Sequence, residues 1–372
     1  MPVRFGRGWF ALGVLCTLCA VLVSLGCEEI IDRATARRVT SRSDGARSAT
    51  GTFRGAGATF PAPIYTRWAL QHYEHSGDRL SYQPLGSARG VEMIKAGTID
   101  FGATDVPLAP DELAQHGLFQ FPAIIGGVVP VVHLQGVGFG DLRLTAELLA
   151  DIYAGEITRW DDPALRAINP GLALPAEEII PVHRSDSSGS TRLFTRFLSS
   201  GSETWRGPGA SSAELTWPAG VMAESSEQMT RFVARFEYTI GYLEFEHART
   251  RGLVWVSLLN RAGRFVTPSR DAFAAAAANA DWSVAPELPV SLIDLPGPES
   301  WPITGVSYVL VERAPRRPGS SAQARRFFEW ALSEGQRSAE RLNYVTVPAE
   351  VVQRIKARWD SPARPSEDAG AR

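Results

Sequence analysis

The segment "HRSDSSGSTRLF" at residues 183–194 decides how this chain is interpreted. Four small residues, at 187–190, stand before an apolar pattern that predicts a helix. A helix start presents unpaired N–H groups and the positive end of the helix dipole, so this turn is suited to an anion. Arg184 adds a guanidinium, and Asp186 is spaced to hold it. Two hypotheses remain at this point: an anion cradle, or a serine nucleophile at Ser188 or Ser190.

Two further turns have the same composition. "GAGATFPAP" at residues 55–63 places Thr59 and Phe60 just before a predicted helix that begins near two prolines. "GSARG" at residues 86–90 places Ser87 at the start of another. Each turn alone is better explained by simple helix capping. Three of them in one chain favour a tetrahedral oxyanion held from several sides.

An aspartate follows the strand pattern of "IDFGATDVPL" at residues 99–108. Asp105 would lie beyond the carboxyl end of that strand, where open α/β sheets bind their ligands. A carboxylate beside an anion is repulsive unless the ligand brings a proton, which phosphate does near neutral pH and sulfate does not. An unpaired buried acceptor costs about 1–3 kcal/mol, so Asp105 is expected to discriminate between them. A solvated or capping aspartate remains the alternative.

Composition limits the class of protein. The 372 residues are enough for two domains, 44% are hydrophobic and 21% charged, and the net charge of -2 gives no general attraction to nucleic acid. The three cysteines all fall within the first 27 residues, so the remaining chain can form no disulfide or cysteine metal site. Short apolar runs alternate with amphipathic runs, which predicts an α/β fold.

The first 26 residues have the layout of a secretory signal, with arginines, an apolar run and then "SLGC" ending at Cys27. This predicts an exported lipoprotein anchored to a membrane through lipidated Cys27. Ser24 stands where such signals usually have leucine, so ordinary secretion and an uncleaved anchor stay open. Residues 27–51 are polar and read as a flexible tether.

Three segments give sharper secondary-structure predictions. "LTAELLADIYAG" predicts a helix capped by Thr145 and ended by Gly155. "DAFAAAAANADW" predicts a surface helix capped by Asp271. "WPITGVSYVLVER" predicts a buried strand, and "SSAQARRFFEWALSEG" predicts the helix after it.

Taken in order, "GAGATFPAP", "GSARG", "DFGATDVPL", "IYAGEITRWDDPAL", "RSDSSGST", "IGYLE" and "WPIT" resemble the periplasmic phosphate-binding proteins of phosphate-specific ABC transporters. The resemblance implies a two-lobed, type 2 periplasmic-binding-protein fold with phosphate in the interlobe cleft. It places lobe I at 52–131 plus 300–372 and lobe II at 132–299. It also implies a monomer that delivers phosphate to a membrane permease with transmembrane and ATPase subunits, and it implies no cofactor and no metal.

Carried over position by position, the resemblance assigns phosphate contacts to eight residues: Thr59, Phe60, Ser87, Asp105, Arg184, Ser188, Gly189 and Ser190. Asp186 matches the salt-link partner of the arginine. Ser187 and Arg89 replace usual glycines, and Ser190 replaces a usual threonine. Arg89 could face solvent or add a second cation to the cleft.

Three other functions remain as alternatives to phosphate transport. A secreted phosphatase would use Ser188 or Ser190, but neither lies in a G-x-S-x-G elbow, and no histidine forms an H-E-x-x-H cluster. A protein that binds a different tetrahedral oxyanion, or one that only sequesters phosphate, fits the same residues.

Overall fold

The computed structural model describes residues 51–206, 216–286 and 288–360. The predicted signal, Cys27 and almost all of the tether lie outside these residues. The described part belongs to one compact unit that begins at Gly51. No helix within it is long and apolar enough to cross a membrane.

Twelve strands were identified in the described residues: β1 Thr52–Gly57, β2 Arg79–Gln83, β3 Phe101–Thr104, β4 Leu118–Val132, β5 Arg143–Leu144, β6 Ile180–Arg184, β7 Val221–Ala223, β8 Thr239–Glu244, β9 Val254–Trp255, β10 Ser257–Leu259, β11 Phe265–Val266 and β12 Thr304–Glu312. The same residues contain twelve α-helices: α1 Ala62–Ser76, α2 Ser87–Lys95, α3 Pro110–Gln115, α4 Ala146–Ala154, α5 Pro163–Ile168, α6 Gly189–Gly201, α7 Ser226–Arg235, α8 Phe245–Thr250, α9 Arg270–Ala278, α10 Pro318–Ala331, α11 Gln336–Arg341 and α12 Ala349–Asp360. Short 3-10 helices lie at Glu203–Trp205 and Trp282–Val284.

The main sheet is mixed and runs in the order β2-β1-β3-β12-β4-β8-β6-β7, with β9 also paired to β4. The outer pairs are parallel, whereas β12 and β4 are antiparallel to their neighbours. A smaller sheet has the order β11-β10-β5. The alternation of short strands and helices confirms the predicted α/β class.

Two large apolar cores lie along the main sheet. The first core includes Phe53, Trp68, Phe101, Phe121 and Phe327. The second core includes Leu149, Tyr153, Val182, Phe194 and Tyr242.

Strand β4 runs through both cores, whereas β12 follows Trp301 and Ile303 of the second core and enters the first. The first part of β4 pairs with β12 in the first core and its last five residues pair with β8 in the second. Gly127 pairs with Thr304 where the strands pass between the cores, and a Cβ at Gly127 would lie 2.1 Å from the Phe273 ring. This close approach explains a glycine in an otherwise bulky strand.

The local helix predictions hold at one helix and fail in part at another. Thr145 caps α4 by accepting from Leu148 N–H, and Gly155 ends that helix in the left-handed conformation, as predicted. The cap of α9 is Ser269 and not Asp271, which lies in the first turn. Both residue types favour the cap position, and the run of alanines that follows does not fix where the first turn begins.

Candidate functional site

Three helices begin at the turns that the sequence singles out. Helix α1 begins after Pro61, α2 at Ser87, and α6 at Gly189 with Ser188 as its cap. Ser188 Oγ accepts from Thr191 N–H at 3.4 Å, which leaves the N–H groups of Gly189 and Ser190 in the first turn without an intrahelical acceptor. Each helix therefore presents its positive end at the proposed site.

Arg184 ends strand β6, and its side chain is 1% exposed. Its Nε and Nη2 each lie 2.5 Å from an oxygen of Asp186, and its Nη1 donates to Ser226 Oγ at 2.6 Å. Burial alone would lower the pKa of Arg184, but the hydrogen bonds that Asp186 accepts from it and the negative charge of Glu244 outweigh burial and raise that pKa. The guanidinium is thus a permanent, oriented cation whose charge is largely balanced by Asp186.

Asp105 follows β3 directly, as the sequence predicts, and is buried. Its N–H donates to Ser87 Oγ at 3.1 Å, and its Oδ1 has no hydrogen-bond partner among the described residues. Burial raises the pKa of Asp105 to about 8, Glu244 acts in the same direction, and the nearby Ser307 hydroxyl and Arg184 only partly oppose them. At neutral pH the carboxyl group is therefore protonated and can donate a hydrogen bond.

The raised pKa favours a proton shared between Asp105 and a bound oxyanion. Discrimination between phosphate and sulfate by Asp105 stays a prediction from the sequence.

The turns around Asp105 are in close contact. A Cβ at Gly189 would lie 2.4 Å from Asp105 Cβ, and a Cβ at Gly86 would lie 3.2 Å from the carbonyl oxygen of Ser187. Gly86 also has φ 93°, which favours glycine. The starts of α2 and α6 thus meet at Asp105, and only a residue without a side chain fits at Gly189.

Glu244 is a central residue that the sequence interpretation did not select. It ends β8, is 1% exposed, and its Oε1 accepts hydrogen bonds from Thr59 at 3.0 Å, Ser190 at 2.8 Å and Ser226 at 3.2 Å. Burial acts to raise the pKa of Glu244, but His247 and Arg184 outweigh it and lower that pKa. Glu244 is therefore an ionised carboxylate in the centre of the predicted ligand set.

Ser226 and Tyr242 complete the surroundings of Arg184. Ser226 is the first residue of α7, so a fourth helix start joins the site, and Tyr242 accepts from Arg184 N–H at 3.0 Å. The pair Ser225 and Gln228, spaced as in a capping box, was the available sequence signal for this helix start. No local pattern indicated that it belongs with Arg184.

The structure also places Phe60 and Arg89. The Phe60 ring packs in the first core, and its carbonyl oxygen accepts from the Tyr344 hydroxyl at 2.7 Å, which fixes the turn before α1. Arg89 is at the surface and pairs with Glu92 at 2.8 Å. Arg89 therefore faces solvent and does not add a second cation beside Arg184. Of the two alternatives given for this replacement of a usual glycine, the first is correct.

A groove of about 990 Å³ lies beside Arg184 and Ser188, and Val91, Trp217 and Met222 also line it. His183, next to Arg184 in sequence, stacks on Trp217 with ring centroids 4.9 Å apart. The described residues contain no cluster of three side chains suited to a metal ion. The site thus offers helix starts, one balanced cation and two carboxyl groups in different protonation states.

This fold and this site define an anion-binding protein of the solute-binding class. A family model for the PBP superfamily domain matches residues 43–335. The phosphate-binding protein PstS of Pasteurella multocida is 43% identical over 85% of this chain and 92% of that protein, and PstS of Xylella fastidiosa is 39% identical over 95% and 98%. The chain belongs to the PstS family within the PBP superfamily.

A solved structure gives the same fold at low sequence identity. The ABC-type phosphate transport receptor from Vibrio cholerae has a TM-score of 0.51 and 18% identity, with 80% of this chain and 100% of that chain covered. The likeness supports the periplasmic-binding-protein fold predicted from the sequence.

Proposed function

We propose that this chain captures inorganic phosphate and delivers it to an ABC-type phosphate permease. The observation that carries the proposal is the convergence of helix starts on Arg184, Asp105 and Glu244, each of them buried. Such an arrangement binds a tetrahedral oxyanion by oriented N–H and hydroxyl groups and does not need a large positive charge. Relatives named phosphate-binding protein over nearly their full length support the choice of phosphate.

In this proposal the eight residues assigned from the sequence hold the ligand. Residues Phe60, Gly189 and Ser190 offer backbone N–H groups, Arg184 offers its guanidinium, and Asp105 shares a proton with one ligand oxygen. Asp186 orients Arg184 from a distance of 2.5 Å. The lobes at 52–131 plus 300–372 and at 132–299 would close on the ligand and reopen at the permease.

We further infer that the chain catalyses no reaction on phosphate esters. Ser188 Oγ acts as a helix cap and Ser190 Oγ donates to Glu244, so among the described residues neither hydroxyl is paired with a histidine base. His183 instead stacks on Trp217. The proposal also includes export of the chain, lipidation of Cys27, a monomeric state, and docking on the transmembrane and ATPase subunits of the permease.

Calorimetry with phosphate, arsenate and sulfate tests the binding function. We expect phosphate to bind tightly, arsenate to bind as its close analogue, and sulfate to bind far more weakly. A chain that gives neither heat nor a thermal shift with phosphate would not be a phosphate-binding protein. Phosphate uptake by cells that lack the protein, measured under phosphate limitation, tests delivery to the permease separately.

A further inference from the structure

The hydrogen bonds of the Arg184 guanidinium leave a defined pair of donors. The group has five N–H donors, one on Nε and two on each terminal nitrogen. Asp186 accepts one from Nε and one from Nη2, both at 2.5 Å, and Ser226 Oγ accepts one from Nη1 at 2.6 Å. Among the described residues no other acceptor is bonded to the guanidinium, so one N–H on each terminal nitrogen is left for a ligand. Two adjacent donors match two oxygens of a tetrahedral oxyanion in a bidentate contact.

The two residues that hold the guanidinium come from different parts of the chain. Asp186 lies two positions after Arg184, and its side chain is 24% exposed. It fixes one edge of the guanidinium but moves with the turn that carries both residues. Ser226 lies 42 positions after Arg184, in α7, and is buried. Its bond to Nη1 therefore fixes the planar group relative to a separate element of the fold.

Ser226 is itself held in place. It is the first residue of α7, and its carbonyl oxygen accepts from the Thr230 hydroxyl at 2.7 Å. Glu244 Oε1 at 3.2 Å and Thr59 Oγ1 at 3.3 Å are both within reach of its hydroxyl proton. A single side-chain torsion places the Oγ of a serine, so its position follows from the backbone of α7. With its proton directed to one of these two oxygens, Oγ presents a lone pair to the guanidinium.

We propose that Ser226 is a positioning residue for phosphate binding: its hydroxyl oxygen holds Nη1 of Arg184, so that one N–H on each terminal nitrogen is directed at the ligand. This inference rests on the proposed binding of phosphate. Ser226 acts through Arg184 and is not one of the eight residues assigned to the ligand from the sequence. Asp186 alone would leave Nη1 without a bond that fixes its two hydrogens.

Two neighbouring serines give a matched test by calorimetry with phosphate. Ser226→Ala removes the acceptor of Nη1, and we expect the phosphate Kd to rise roughly tenfold or more, since the bond is made to a charged group. Ser225→Ala removes the adjacent hydroxyl, which caps α7 by accepting from Gln228 N–H at 3.1 Å. That control should lower the thermal stability and leave the Kd within about twofold of the wild type. An unchanged Kd in Ser226→Ala would overturn the proposal.

A double-mutant cycle separates positioning of Arg184 from a general effect on the fold. In the Arg184→Ala background the group that Ser226 holds is gone, so adding Ser226→Ala should weaken binding by less than about threefold. An equal loss in the two backgrounds would show that Ser226 acts independently of Arg184 and would refute the positioning role. A wild type that does not bind phosphate at all would instead refute the proposed function.

A measurement on the wild type decides the question if Ser226→Ala does not fold. Without phosphate, the two Nη1 hydrogens of Arg184 should give separate NMR signals, because the bond to Ser226 Oγ slows rotation about Cζ–Nη1. Loss of these signals in Arg184→Lys assigns them. A single averaged signal for the two hydrogens in the wild type would show that Nη1 is not held and would overturn the proposal.

Discussion

Replacing Gly189 by alanine tests the contact that joins the start of α6 to Asp105. The new Cβ would lie 2.4 Å from Asp105 Cβ, about 1 Å short of the 3.4 Å at which ordinary contact begins. The two turns must therefore separate by about that distance. Since a displacement of about 1 Å in a preorganised site costs on the order of 100-fold, we expect the phosphate Kd to rise by that factor.

Two assays measure this change. Calorimetry gives the Kd directly, and denaturation in excess phosphate should show about 2.7 kcal/mol less ligand-dependent stabilisation than in the wild type. Gly319→Ala is the matched control, because Gly319 also lies in the first turn of a helix, α10, and its Cβ would meet nothing within 4 Å. If Gly189→Ala binds phosphate as tightly as Gly319→Ala does, α6 does not approach Asp105 in the bound state and the geometry of the site is wrong.

Three further predictions concern single side chains. Arg184→Ala should weaken phosphate binding roughly 100-fold, because hydrogen bonds to charged groups contribute about 1.5–3 kcal/mol each. Asp105→Asn should weaken it less, because an amide can still form a hydrogen bond to the ligand. Calorimetry that gives the reverse order would contradict these roles. Because burial raises the pKa of Asp105 to about 8 from 3.8, the folded state keeps a proton that the unfolded chain releases, so the free energy of unfolding should fall between about pH 4 and 8. Asp105→Asn should remove that part of the slope, and an unchanged slope in urea denaturation would show that Asp105 titrates normally. His72 packs against Phe327 and Trp330 with both ring nitrogens buried and without a partner among the described residues, and burial lowers its pKa. His72→Phe should therefore raise the free energy of unfolding by about 1 kcal/mol, and by more at pH 5 than at pH 7.5, since the unfolded chain gains the proton at a higher pH than the folded chain does; a gain that is absent or independent of pH would contradict this.

Features set by neighbouring residues were predictable from the sequence. The three helix starts at Thr59, Ser87 and Ser188 follow from small residues placed before amphipathic runs, and the structure has helices there. The position of Asp105 follows from the end of a strand. The cap of α9 was predicted at the wrong residue because Ser269 and Asp271 are both good caps. The run of alanines that follows does not show at which of them the helix begins.

Features set by distant residues were not predictable in this way. Thr59 and Glu244 are 185 positions apart, and no local pattern pairs a hydroxyl with a carboxylate over such a separation. The protonation of Asp105 depends on burial and on Glu244, so it could be known only once the fold had brought them together. The sequence thus indicated which segments build the site but not which of its carboxyl groups is charged.

The distribution of charge explains how one site can be selective without strong net attraction. Arg184 is balanced by Asp186, and Glu244 adds a negative charge, so the total charge of these groups opposes a dianion. Attraction must then come from oriented N–H groups at helix starts and from shared protons, both of which depend on exact placement. Such groups lose their effect within a short displacement, whereas an unbalanced cation would hold the anion over a longer range. Under the proposed function we therefore expect a small opening of the turns around Asp105 to release the ligand, which is the behaviour that delivery to a permease requires.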